Sequence, residues 1–272
     1  MENSWGFPII RELPTLLTTK GCNWNKKQLG IGMDNRSFWI GTDTQGNSWV
    51  VKMRGAWDAI RERVYSSLAQ TIGICTQSSV YLVLSDDAGP LWDEARPRFT
   101  RTPQHGALWM LDEHGIEPCG PGCPYSHRDH GPDFRSRFES WLRCGVQNPW
   151  DRFDAAILGY LCGKFEPSGN LITASHLWLQ IDNECMFSWF ERGKTNRDAI
   201  NDIRKDPLMK VNGATERIAA LCARVTNVTD AELELILEVP NEYRAKTQVV
   251  RLRRWLRQAR RTAEWIAEHG LQ

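Results

Sequence analysis

The hydrophobic pattern changes period once, abruptly, in the first third of the chain. From residue 47 the sequence runs N-S-W-V-V-K-M, where Trp49, Val51 and Met53 alternate with Val50 and Lys52. That is the period of a strand with one buried face. Beyond it, apolar residues recur four apart at Ile60, Val64, Leu68 and Ile72, the stripe of an amphipathic helix. Gly73 follows where a left-handed residue after the helix is expected. Upstream, a glycine-bearing turn leads into a strand at 38–41, and the D-T-Q-G turn at 43–46 makes a hairpin with the Lys52 strand. Residues 79–84 read as another strand, ended by the breakers D-D-A-G-P at 86–90.

The rest of the chain is helical in pattern. Residues 1–20 read as a capping segment, and 86–134 are rich in Pro, Gly, Asp and His with little periodicity. Helices are expected at 135–144, 152–162, 196–206, 213–225, 229–238 and 243–268, with a short strand at 176–182 ending on Asp182. This order predicts an α+β, two-lobed protein with a β-rich N-lobe at 1–88. A helical C-lobe at 89–272 would carry a Cys/His-rich loop at 105–134.

Composition narrows the setting. A chain of 272 residues with net charge +1 has core enough for two lobes and no global charge to recruit a polyanion. Its apolar runs are too short to span a bilayer, and the first residues lack the basic flank and apolar core of a signal peptide. A cytoplasmic setting follows as the expectation, with the eight cysteines reduced. The thirteen tryptophans are scattered, which suits packing better than a stacking platform.

Candidate chemistry then falls on a few positions. Lys52 leaves a strand amid apolar neighbours, and Glu62 lies one turn into the next helix. A lysine directed into a lobe needs an anionic partner, and a strand lysine paired with a helix carboxylate is how kinase folds hold nucleotide phosphates. Gly30, Gly32 and Ser37 could lay backbone N–H groups over a phosphate, or serve only their turn. Asn170, in a loop after a helix, and Asp182, at a strand end, are a pair that can hold magnesium under a triphosphate. Each of these four has an ordinary structural reading; their order along the chain is that of a kinase fold.

The runs W-V-V-K-M and R-E-R-V-Y-S-S-L-A-Q-T-I-G-I resemble the small-lobe signature of stand-alone HipA-like kinase domains, which share a phosphatidylinositol-kinase-like fold. F-D-A-A-I-L (153–158), N-L-I (170–172) and L-W-L-Q-I-D (177–182) are similar to large-lobe segments of that family. V-P-N-E-Y (239–243) and L-R-R-W-L-R-Q-A-R (252–260) are similar to its C-terminal helices. The resemblance implies an ATP- and magnesium-dependent phosphotransferase acting on a protein or a small-molecule substrate. Lys52 would contact the α- and β-phosphates, Glu62 would orient it, and Asp182 would ligate magnesium with Asn170 beside it. The chain departs from the family where a catalytic aspartate is expected: no aspartate occurs from Ala155 through Asn170, and Glu166 is the one carboxylate there. Two readings stay open, a kinase with Glu166 as base and a nucleotide-binding pseudokinase that serves as an interaction module.

Three further features stand apart. Cys119-x3-Cys123-x3-His127-x2-His130 can supply a tetrahedral zinc shell, or be an irregular loop with reduced thiols. His127-Arg128-Asp129 mimics a kinase catalytic triplet but lacks the asparagine and the following metal-binding strand, so it is read as coincidence. Arg244, Lys246, Arg251, Arg253, Arg254, Arg257, Arg260 and Arg261 carry no acidic residue among them until Glu264. This is the pattern of a solvated basic helix face or of a contact for nucleic acid, which keeps a zinc-stabilised nucleic-acid-binding protein as a third reading.

Overall fold

A computed structural model of the chain describes residues 16–18, 23–28, 37–44, 48–52, 55–84, 86–95, 104–111, 147–163, 170–172, 178–180, 186–243 and 245–271. The expected hairpin forms from β3 (Ser37–Thr42) and β4 (Ser48–Lys52), and β2 (Asn23–Gln28) extends it into an antiparallel meander. β1 (Leu16–Thr18) pairs in parallel with β5 (Ser79–Val83), and β6 (Gln104–Leu111) lies antiparallel between β5 and β4. The resulting six-stranded sheet has the order β1-β5-β6-β4-β3-β2.

The sheet therefore does not close at residue 88. β6 comes from the stretch assigned by sequence to the helical lobe and its Cys/His-rich loop, and it sits in the middle of the sheet. Its A-L-W-M-L run has no alternation because a strand flanked on both sides in a sheet covered on both faces needs none. β4 departs from its expected single buried face for the same reason. Val50 is as inaccessible as Trp49 and Val51.

α1 (Ala56–Thr71) crosses one face of the sheet against β5 and β6. Its end is the one anticipated: Gly73 takes φ +80°, its N–H bonds to the Gln70 carbonyl at 3.0 Å, and Ile74 N–H reaches back to Ala69 at 2.9 Å. These paired bonds satisfy the last carbonyls of the helix, and only glycine adopts that φ without strain. The opposite face holds a small core of Trp39, Trp49, Val51, Val80, Leu82, Leu84, Ala88 and Leu91, closed by α2 (Pro90–Ala95). Trp39 Nε1 donates to Glu94 on that helix at 3.0 Å.

A larger core joins α1 to the helices α3 (Pro149–Leu161), α4 (Ser188–Glu191), α5 (Asn196–Lys205), α6 (Ala214–Thr226), α7 (Asp230–Ile236) and α8 (Lys246–His269). A two-stranded sheet, β7 (Asn170–Ile172) with β8 (Trp178–Gln180), lies against α3. Tryptophans serve this packing as expected: Phe187 stacks on Trp255 at 6.1 Å between ring centres, and Trp57 and Phe190 pack tilted on the same ring. Among the described residues no helix is long and apolar enough to cross a membrane.

Candidate functional site

Lys52 is the last residue of β4, in register with Ala107 of β6. Four residues later α1 begins, and Glu62 on it is 1% exposed. A carboxylate so buried stands only with a charged or hydrogen-bonding partner. Around it, Trp57, Arg61 and Tyr65 follow at four-residue intervals on one face of α1. These three reach the chain on either side of Asp182.

On the near side, the Tyr65 hydroxyl lies 3.2 Å from Gln180 Oε1 and 3.3 Å from the Ala155 carbonyl, and burial pushes its ionisation far up. Gln180 closes β8, and residues 75–77 hold its backbone. Gln180 N–H donates to the Cys75 carbonyl at 3.2 Å, while its own carbonyl accepts from Gln77 N–H and from the Thr76 hydroxyl, both at 3.1 Å. On the far side, Trp57 Nε1 donates to Glu191 at 2.7 Å and Arg61 pairs with the same carboxylate at 3.4 Å. Phe187 keeps a left-handed φ of +66° although fully buried and not glycine, a backbone state that persists only where packing enforces it. Its N–H donates to the Cys162 carbonyl at 2.9 Å and its ring stacks on Trp255. Thus the helix that carries Glu62 is bolted to both described flanks of the segment containing Asp182.

Asn170 opens β7 rather than lying in a loop, and its register partner is Gln180, two residues before Asp182. The register sets Asn170 opposite the last residue of β8. Ser37 opens β3, in register with Gln28. Gly30, Gly32, Glu166, Asp182, Cys119, Cys123, His127 and His130 lie outside the described residues, as does the expected helix at 135–144. Among the described residues, no three His, Cys, Asp or Glu side chains cluster as a metal site would need.

The polar groups that frame the site were not singled out by sequence. Asp154, inaccessible on α3, receives Arg217 Nε and Nη2 at 2.7 and 2.6 Å and also bonds to Arg224. Arg224 also donates to the Ile72 carbonyl at the end of α1, at 2.7 Å. Asn148 pairs twice with Trp178 of β8, donating to its carbonyl at 2.9 Å and accepting from its N–H at 2.7 Å. Asp151 accepts from Cys75 N–H at 2.8 Å and from Asn148 at 3.1 Å; burial pushes its carboxyl up, partly offset by these two bonds. Arg63 is buried against the Ser79 carbonyl of β5, and burial brings it down to about 10. The F-D pair at 153–154 was a usable signal, since a polar residue on a buried helical stripe must be paired.

No protein-family model matches the chain, and no curated protein does. Among solved structures, the crystal structure of a Helicobacter pylori proinflammatory kinase, CtkA, matches over 95% of this chain and 99% of its own. The TM-score is 0.58 at 11% sequence identity. The chain thus has a kinase-like fold, with a small, mainly antiparallel sheet joined to a helical region.

Proposed function

We propose that the chain is an ATP-dependent phosphotransferase of the HipA-like kind, acting on a protein or another cellular target. The observation that carries this reading is Glu62: a buried carboxylate directly after a strand that ends in lysine, on a helix whose Tyr65 and Trp57 bond to residues on either side of Asp182. In a chain of kinase-like fold, that carboxylate would orient Lys52 toward the α- and β-phosphates. Gly30, Gly32 and Ser37 would cover the phosphates through backbone N–H groups. Asp182 and Asn170 offer the hard oxygen donors that magnesium takes, and the ion's chemistry is to neutralise phosphate charge. Glu166 would accept the proton of the substrate hydroxyl.

Magnesium-ATP should raise the thermal midpoint of the folded chain by mass action. Lys52→Ala and Asp182→Ala should each remove most of that rise with the unliganded midpoint unchanged. An undiminished response in both variants would end the proposal. The absence of an aspartate from Ala155 through Asn170 favours a second reading, a pseudokinase that binds nucleotide without transfer. Transfer from γ-labelled ATP separates the two. With Glu166 as base, Glu166→Gln should keep ATP affinity and lose about 10²- to 10⁴-fold in rate. ATP binding with no transfer by the wild type would establish the pseudokinase.

A further inference from the structure

Two clefts run side by side along α8, far in sequence from the residues assigned to nucleotide. The first, of about 840 Å³, lies between α7 and α8 and is walled by Leu235, Val239, Pro240, Val249 and Val250. Leu235 and Val250 are each 61% exposed, the two most exposed large apolar side chains among the described residues. Scattered exposed apolar residues need no explanation, but two on the walls of one cleft make a patch. The second cleft, of about 580 Å³, shares Val250 and Arg253 with the first and continues along α8 past Arg254, Arg257 and Arg261 to Asn196. From Val250 to Arg261 the helix rises about 16 Å.

Charge changes along this path. At the apolar end Glu234 takes Arg253 in a double contact at 2.6 and 2.8 Å, which holds the Glu234 carboxyl below its ordinary range. At the other end Arg254, Arg257 and Arg261 are exposed, no carboxylate lines the cleft, and among the described residues none of the three has an ion pair. Asn196 Oδ1 is buried there with no hydrogen-bond partner among the described residues.

We propose that α7 and α8 form a docking groove for an amphipathic acidic polypeptide segment of a partner protein. Its apolar residues would fill the Leu235–Val250 cleft and its acidic residues would follow along Arg254, Arg257 and Arg261. The adjacency of an apolar cleft and a carboxylate-free row of arginines sets the order of the segment along the groove, apolar part then acidic part, whichever way its chain runs. A nucleic-acid strand fits the arginines but has no use for the apolar cleft.

The test is selection of displayed random peptides on the full chain, followed by affinity measurement for the enriched sequences. Apolar residues flanked on one side by an acidic run are the expected consensus, with binding that weakens as salt rises. The triple variant Arg254→Glu, Arg257→Glu, Arg261→Glu and the single variant Val250→Asp should each weaken binding by about tenfold or more. All four positions are exposed, and circular dichroism melting confirms that each variant is folded. The proposal fails if no acidic amphipathic consensus emerges, or if Val250→Asp leaves the affinity of the selected peptides unchanged. It also fails if a single-stranded oligonucleotide binds more tightly than any selected peptide and depends on the arginines alone.

Discussion

The sheet and the helical region bury their apolar residues differently. On the outer face of the sheet, β3, β4, β5 and α2 enclose a core of eight residues dominated by Trp39 and Trp49. The helical core is continuous from α1 through Phe153, Trp178 and Phe187 to Trp255 and Ile266. α1 lies on the sheet, yet its stripe of Ile60, Val64 and Leu68 belongs to the helical core. Lys52 and Glu62 are thus drawn from a strand of one core and a helix of the other. As the proposed partners they would register any displacement between the two regions, which two residues of one core would not. Tyr243 crosses the seam, its hydroxyl gripping β5, while within the helical core the arginines on Asp154 reach the end of α1.

The largest expected effect is at Asp154. Replacing it with alanine leaves Arg217 and Arg224, each about one-third exposed, without their shared carboxylate and frees the end of α1. Breaking a pair with one fully buried member should cost about 3 kcal/mol in urea denaturation. A loss below about 1 kcal/mol would show that the helical core holds α1 without this cluster.

Tyr243→Phe comes next and addresses the seam directly. The Tyr243 hydroxyl donates to the Leu82 carbonyl at 2.9 Å and accepts from Leu82 N–H at 3.2 Å, where the β5–β6 register shifts. Two buried backbone groups lose their partner, a cost of about 1–3 kcal/mol. Amide exchange should accelerate at Leu82 while α6 is unaffected; uniform acceleration would mean the two regions open together.

Thr229→Ala is expected to cost about 1 kcal/mol, because Thr229 and Glu232 cap α7 reciprocally. Its effect should stay within the helical region and leave the exchange of β5 unchanged.

The smallest effect is one of pH. Burial raises the Asp151 carboxyl above its ordinary value, so the folded chain holds that proton to higher pH than the unfolded chain. Stability from this group is present below the unfolded value and is lost as pH rises through the folded one. Asp151→Asn should remove this decline, visible as a wild-type minus variant difference that becomes less favourable to the wild type as pH rises from the ordinary carboxylate range. A pH-independent difference would show that folding leaves the proton affinity of Asp151 unchanged.

Legibility followed the same division. The helices at 196–205, 214–226, 230–236 and 246–269 lie within a few residues of the periodic pattern, because each has one apolar stripe on a shared core. Three of the six strands in the main sheet, β1, β2 and β6, were not anticipated. β1 is three residues long, β2 reads N-W-N-K-K-Q with little that is apolar, and β6 is a continuous apolar run without alternation. Pairing partners distant in sequence decide such strands, and local pattern does not carry that information. The positions of Lys52 at a strand end and of Glu62 on the next helix were legible because the strand-to-helix change of period brackets them. Tyr65, Asp154, Glu191 and Phe187 were not, since each depends on contacts spanning 63 to 134 residues, or on a backbone angle that packing imposes.

Burial of the cysteines has a practical consequence for labelling. Cys75, Cys162 and Cys222 are inaccessible free thiols, and burial pushes all three up, Cys222 to about 12 and the others beyond. Alkylating reagents attack the thiolate, so these three stay silent in the native chain. Any adduct counted by mass spectrometry on the native chain then falls among the other five cysteines of the sequence, Cys119 and Cys123 included. Alkylation before and after chelator becomes a direct assay of the proposed zinc loop: a gain confined to Cys119 and Cys123 marks bound metal, and equal labelling marks free thiols.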